Sequence, residues 1–266
     1  MNFFDPAKNK RIAIVSPIIA AFIAGTYYLA MKIDFDADIG HFARGSVPFI
    51  ICVVLSVISG AVAVLSYLLG CINGAIATSH IFYHDDVRRH GSGNAGLTNF
   101  YRNYGAKCAI VVIAFDMLKA VGAVCLGGYF LGHLLGWGVI GKYFGALFCI
   151  IGHMFPVFYG FKGGKGILCS GTLLLLLDWR IALVGWGVFV VLWLTTRYVS
   201  LGSVAAAVSL PFTTYFVFHN TACTVLGTCI SLLVLWAHRS NIKRLLNGTE
   251  SKFHFHVNGS KTGEDA

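Results

Sequence analysis

Long apolar runs with few or no charges, Ile12–Met31 and Val47–Ser79 above all, decide what this chain can become. A helix needs about 20 such residues to cross the hydrocarbon layer of a bilayer. A water-soluble domain carries about 25% charged residues; here the share is 12%, with a mean hydropathy of +0.75. A soluble globular enzyme, a disordered chain and a disulfide-framework module are excluded. The runs are continuous rather than alternating, which also excludes a membrane β-barrel. The expected fold is an all-α polytopic membrane protein.

Eight spans are expected: Ile12–Met31, Val47–Ser79, Cys108–Leu131, Val139–Phe158, Ile167–Leu177, Ile181–Thr196, Ser200–Phe218 and Ala222–Ala237. The second is too long for one straight crossing, so it reads as a tilted protruding helix or a helix preceded by an interfacial piece. The fifth is short, and its ends are expected to run into the flanking polar loops. The eight cysteines lie singly in or beside apolar segments, without Cys-x-x-Cys spacing, and read as small packing residues rather than a metal site or a disulfide set.

Orientation follows from the basic residues. With the N-terminus cytoplasmic, one side collects Lys8, Lys10, Arg11, Arg88, Arg89, Arg102, Lys107, Lys162, Lys165, Arg197, Arg239, Lys243, Arg244, Lys252 and Lys261. The other has Lys32, Arg44, Lys142 and Arg180, and Lys119 lies within a span. Both termini are therefore expected in the cytoplasm. Ile12–Met31 is too long for a signal-peptide core and reads as an uncleaved anchor.

The same orientation puts three polar, glycine-rich loops on the cytoplasmic side. The first, HGSGNAGLTNFYRNYG, has Gly91, Gly93 and Gly96 to take positive φ and turn amides into an anion nest. Ser92, Thr98 and Asn99 can add hydrogen bonds, and Arg102 a two-pronged grip on phosphate or carboxylate. The second, GHMFPVFYGFKGGKGILCSG, brackets Gly163 and Gly164 with Lys162 and Lys165 and reaches Gly166 just before an apolar helix. Amides at a helix N-terminus plus lysines make a phosphate site. It is not a Walker A loop, because Gly166 stands where Ser or Thr would bind magnesium. Pro156 breaks the preceding helix, so this loop is expected to re-enter along the membrane surface. His153 at its head reads as a packing or orienting residue.

The third loop, WAHRSNIKRLLNGTESKF, carries His238 and Asn241 three apart, on one face if the last helix continues past the interface. Its Arg239, Lys243 and Arg244 can be explained by anionic headgroups alone. Within the third span, Asp116 and Lys119 share a helical face at i, i+3, either as a structural ion pair or as part of a site. The spacing of His80 and Asp85 matches a glycerolipid acyltransferase motif of a different, soluble type; with ten histidines and eleven acids in the chain it is read as coincidence.

In order and spacing, HGSGNAGLTNFYR, GHMFPVFYGFKGGKG and HRSNIKRLLNGTE, with TRYVSLGS between the last two, closely resemble the bacterial PlsY family of acyl-phosphate:glycerol-3-phosphate acyltransferases. The resemblance runs from about Leu65 to Glu250. It implies a seven-helix acyltransferase core over residues 46–250, preceded by an added helix in residues 1–45 and followed by a polar tail, 251–266. It implies transfer of a fatty acyl group from acyl-phosphate to the 1-position of glycerol 3-phosphate, giving lysophosphatidic acid and inorganic phosphate. On the resemblance, Ser92, Gly93, Asn94, Thr98, Asn99 and Arg102 hold a phosphate. Lys162, Gly163, Gly164, Lys165 and Gly166, with His153, serve glycerol 3-phosphate. His238 and Asn241 line the reacting centre, and Glu250 is structural. Arg102, Lys165, His238 and Asn241 are the catalytic set.

The chain departs from the family pattern at Ala237, where Arg is usual and Arg239 is the nearest substitute, and at Ala95, where Pro is common. The partners implied are the two substrates, membrane lipid and a soluble enzyme that makes acyl-phosphate. No metal, cofactor or nucleic acid is called for. An acyl-phosphate is already activated, so no covalent nucleophile is required, only positioning and charge stabilisation. Sequence leaves the proton acceptor open between His238 and the substrate's own phosphate. The reading from another class is a transporter of phosphorylated anions; the absence of an internal repeat speaks against it.

Overall fold

The structure, a computed structural model, describes residues 47–253, with side chains from Val53 onward. The expected helix Ile12–Met31 and the tail past residue 253 lie outside the described residues. Among those described there is no strand. The helices are α1 (Val47–Cys71), α2 (Gly74–Tyr83), α3 (Leu97–Tyr104), α4 (Ala109–Leu126), α5 (Val139–Met154), α6 (Ile167–Leu177), α7 (Trp179–Thr196), α8 (Val199–Phe218), α9 (Thr221–Ala237) and α10 (Arg239–Leu246). Five segments are long and apolar enough to cross a bilayer: Val53–Cys71, Ala109–Leu134, Val139–Tyr159, Trp179–Thr196 and Val199–Phe218. The α9–α10 pair, bent by 60°, supplies a sixth if counted as one span.

The overlong apolar run resolves in neither expected way. Helix α1 stops at Cys71, and a second helix starts after it at Gly74. The cause is Asn73, fully buried, whose Oδ1 accepts from Ile76 N at 3.0 Å and caps α2. Apolar content alone does not register a capping residue. A second correction concerns α6: its ends do not extend into the loops. Gly166 at φ +77° begins it, and Asp178 ends it while its carboxylate caps α7 through Arg180 N at 2.8 Å. Eleven residues span only about 16 Å, so the Gly160–Gly166 loop before α6 lies inside the bilayer thickness if α6 reaches the far face.

Helix α5 is the inner helix. Of its span 83% is enclosed by protein, against 17–39% for the other four, and it packs on α1, α4 and α9. It approaches α4 through glycines: a β-carbon at Gly127 would strike Gly141 O, and one at Gly145 would strike Ala123 O. Beyond Leu126 helix α4 widens into π-helical turns, Gly127–Leu134. The seven described cysteines are free, and Cys149 and Cys169 meet Sγ to Sγ at 3.7 Å in the core. Helices α6, α7, α8 and α9 surround a cavity that opens at the end where the three glycine-rich and basic segments meet.

Candidate active site

The first loop is shaped by its own amides. Gly91 and Gly93 take φ +54° and +68°, as expected, but Gly96 is extended at −146° and forms the N-cap of α3. The rest of the segment is thus a helix, and Thr98, Asn99 and Arg102 ride on it. Asn99 accepts from Ser92 N at 3.0 Å and donates to Val87 O and His90 O, both at 3.1 Å. Its amide is committed to holding the loop closed. Asn73 donates to Ala95 O at 3.1 Å, anchoring the loop to the start of α2.

Arg88 joins the first loop to the second. Its guanidinium grips Asp86 at 2.7–3.1 Å and donates to Tyr159 O at 2.8 Å and Lys162 O at 3.1 Å. In the second loop, Gly163 N and Gly164 N donate back to Met154 O and His153 O, both at 3.1 Å. Beneath both loops lies a buried triad. Lys119 Nζ reaches Asp116 Oδ1 at 2.7 Å, His153 Nδ1 at 2.7 Å and Ile72 O at 2.9 Å. The expected i, i+3 ion pair is therefore real, and a histidine 34 residues along the chain completes it.

The third segment does not continue as one helix: the chain bends by 60° at His238. His238 and Asn241 still face the same cavity, from either side of the break. Glu250 ties this end together, accepting from Ser200 Oγ, Asn241 Nδ2 and Arg244 Nε at 2.7 Å each. Because Asn241 Nδ2 is held by the carboxylate, its Oδ1 is turned to accept from Lys165 Nζ at 2.5 Å. Loops two and three thereby meet. Arg239 is elsewhere: it stacks on Trp236 at 4.2 Å and does not line the cavity, so it does not replace the missing arginine at 237.

These contacts set charge. Burial, with Arg244 and Arg102 nearby, pulls Lys165 down to about 8 despite Glu250. Burial pushes Glu250 up, but its three hydrogen bonds outweigh it and hold the carboxyl below its usual range. Burial, aided by Lys165, lowers His238 to about 4, past the end of α9. His238 is thus neutral near pH 7. Its Nδ1 lies 2.8 Å from Val234 O, a carbonyl that can only accept, so the ring proton is on Nδ1 and Nε2 carries a lone pair.

The cavity these groups line measures about 720 Å³. Its polar end has Ser92, Asn94, Thr98, Asn99, Arg102, His153, Lys165, Gly166, His238, Asn241, Arg244 and Glu250. Two helix N-termini, of α3 and α6, open onto it, favouring anions. Its other end is apolar, walled by Leu174, Trp186, Phe189, Ala206, Leu210, Ile230 and Val234. Of the residues expected at the site, Gly93, Lys162, Gly163 and Gly164 do not line it: Gly93 and Lys162 are exposed, and Gly163 and Gly164 pack against His153. His80 and Asp85 are also outside; Asp85 pairs instead with His90 at 2.6 Å and Tyr104 at 2.8 Å. Sequence reasoning missed Asn73, Arg88 and Ser200. An asparagine beside glycine inside an overlong apolar run is the signal that could have found the first. Ser170 was missed too; it lines the cavity, and its Oγ is buried with no partner among the described residues.

The model of a family described as glycerol-3-phosphate acyltransferase matches residues 60–248. The chain is 38% identical over 190 residues to a glycerol-3-phosphate acyltransferase of Thermoanaerobacter sp. strain X514, covering 71% of this chain and 93% of that one. It is 41% identical over 189 residues to glycerol-3-phosphate acyltransferase 2 of Bacillus anthracis, covering 71% and 96%. The fold is similar to the crystal structure of PlsY (YgiH), an integral membrane glycerol 3-phosphate acyltransferase. Its glycerol 3-phosphate form matches with TM-score 0.66 and 31% identity, over 74% of this chain and 96% of that chain. Its lysophosphatidic acid form matches with TM-score 0.63 and 30% identity, over 74% and 95%.

Proposed function

This chain belongs to the glycerol-3-phosphate acyltransferase family, and from that premise we propose how its cavity carries out the transfer. It is a membrane-integral acyltransferase rather than a transporter of phosphorylated anions. The donor is acyl-phosphate and the product is 1-acylglycerol 3-phosphate. One observation carries this reading: a single cavity joins a cationic, amide-lined end to an apolar shaft, fitting two anionic heads and one fatty chain.

The first loop and the N-terminus of α3 hold the donor's phosphate, through Ser92, Asn94 and Thr98, with Arg102 gripping it. Lys165 and Gly166 at the start of α6 hold glycerol 3-phosphate. Lys162, exposed beside them, draws anions in rather than binding them. Gly163 and Gly164 let the loop lie close against His153. The fatty chain occupies the shaft between α6, α7, α8 and α9. The glycerol 1-hydroxyl oxygen attacks the acyl carbonyl carbon, and the bond from that carbon to the phosphate oxygen breaks. The hydroxyl proton passes to His238 Nε2, the atom left as an acceptor, and then to the departing phosphate. Neutral His238 suits that role better than anion binding, because an Nε2 lone pair repels phosphate.

The remaining organisation follows from charge. We place the three segments and both termini in the cytoplasm, residues 1–45 as an added anchor and 251–266 as a polar tail. The soluble enzyme that makes acyl-phosphate is the partner on that side. Modification of Lys162 by a membrane-impermeant amine reagent applied outside intact cells would reverse that orientation.

The test is release of inorganic phosphate from palmitoyl-phosphate by purified protein in a lipidic medium, with and without glycerol 3-phosphate. Release that needs glycerol 3-phosphate, yields lysophosphatidic acid and falls about 10²-fold in Arg102→Ala supports the reading. Turnover with palmitoyl-CoA but not palmitoyl-phosphate overturns the donor assignment. No turnover with either overturns the whole of it. In the same assay, His238→Gln at near-normal turnover removes the histidine as proton acceptor.

A further inference from the structure

The buried Asp116–Lys119–His153 triad has no part in the steps above, yet its histidine and its aspartate both line the cavity. All three side chains are 2–3% exposed. An ammonium has three protons and no acceptor, and Lys119 directs all three: to Asp116 Oδ1, to Ile72 O and to His153 Nδ1. His153 Nδ1 is therefore an acceptor, and the ring's own proton is on Nε2. A doubly protonated ring is excluded as well, because its Nδ1–H would point at an ammonium 2.7 Å away. His153 is locked as a neutral Nε2–H donor, the opposite tautomer from His238 across the same cavity.

Nε2 has no hydrogen-bond partner among the described residues, and it is not among the fully enclosed unpartnered atoms. Its surroundings define what it can serve. Gly164 packs against Nε2, and a β-carbon on Gly166 would lie 3.5 Å from the ring's Cδ2. The donor is thus at the mouth of α6, where that helix's first amides also lack intrahelical acceptors. A neutral N–H beside a helix N-terminus is suited to an oxygen that gains negative charge during reaction.

We propose that His153 Nε2–H, held in that tautomer by Lys119 and Asp116, donates to the acyl donor's carbonyl oxygen and stabilises it as it becomes an oxyanion. His153 touches the substrate; Lys119 and Asp116 are positioning residues. The identity of the oxygen rests on the acyl-transfer reading, whereas the tautomer does not.

The experiment uses full-length protein with ¹⁵N-labelled histidine, its His153 signals assigned by difference from His153→Gln. The expected spectrum has His153 protonated at Nε2 and bare at Nδ1. The Nε2 signal moves when palmitoyl phosphonate, a non-transferable mimic of the donor, is added at a concentration that fully inhibits turnover. Kinetics give a second reading. Gln places an N–H near the Nε2 position and Asn places one near Nδ1, so His153→Gln keeps turnover within about tenfold and His153→Asn loses 10²-fold or more. Lys119→Met lowers kcat at least tenfold, with KM for glycerol 3-phosphate within about twofold, and mixes the two ring tautomers. A purely structural triad would move neither the tautomer nor the Gln–Asn difference. An Nδ1–H tautomer in the wild-type protein, an Nε2 signal indifferent to the phosphonate, or equal activity of the Gln and Asn variants overturns the proposal. Wild-type protein without turnover would overturn the acyl-transfer reading instead, and the spectrum would still report the tautomer.

Discussion

Replacing Lys165 by Met is expected to lower kcat/KM for glycerol 3-phosphate about 10³-fold, while Lys165→Arg keeps a substantial part of it and changes the pH profile. The methionine retains the apolar stem but removes the charge and the bond to Asn241 Oδ1, leaving that oxygen without its donor. The arginine variant isolates the charge. In the empty enzyme, burial and the neighbouring Arg244 and Arg102 bring Lys165 down to about 8. The side chain is charged below that pH and becomes neutral above it. Because kcat/KM reports the free enzyme, it should fall on an alkaline limb near pH 8. Bound phosphate favours the charged lysine, so the limb in kcat lies at higher pH. Arginine stays protonated throughout, and Lys165→Arg should lack the limb near pH 8. Initial rates at subsaturating glycerol 3-phosphate between pH 6 and pH 9.5 decide the matter. An alkaline limb of the same position in wild type and Lys165→Arg would show that another group causes it.

What sequence could and could not reveal divides along the range of the interactions. Apolar runs located every described spanning helix, because crossing a bilayer is a demand on composition over about 20 residues. The three segments that surround the polar end of the cavity were legible from glycine, lysine and arginine content. The Asp116–Lys119 pair was legible because its partners are one helical turn apart. The rest depended on distance in the fold. His153 joins that pair across 34 residues, and Lys165 finds Asn241 across 76. Neither has a local signature. Nor does the use of Asn99, whose amide looked free to bind phosphate and is instead committed to Ser92, Val87 and His90. The 60° bend at His238 and the break at Asn73 were hidden because single polar residues barely alter the hydropathy of a window. Lys162 and Lys165, alike in a motif, are separated by two glycines of loop that turn one into the cavity and leave the other exposed.

That loop has a point where sequence can test geometry directly. Gly164→Ala is expected to cost at least about 10² in kcat and to lower thermal stability. A β-carbon there would strike Ala95 O of the first loop on one side and His153 Nε2 on the other. Neither can yield cheaply. Ala95 O is a backbone atom fixed by Asn73, and the His153 ring is pinned through Nδ1 to Lys119. Overpacking of this kind costs about 1–3 kcal/mol, but the larger effect is on position. Pushing the loops apart shifts Lys165 relative to Arg102, and a displacement of about 1 Å in a catalytic constellation can cost about 10²-fold in rate. Gly187→Ala is the matched control: nothing lies within 4 Å of a β-carbon there, midway along α7. By restricting the unfolded chain it should hold or raise stability by about 0.4–1 kcal/mol, with turnover unchanged. Gly164→Ala at wild-type turnover would mean that the two loops separate without disturbing the reacting groups, and that the contact between them is packing rather than part of the catalytic geometry.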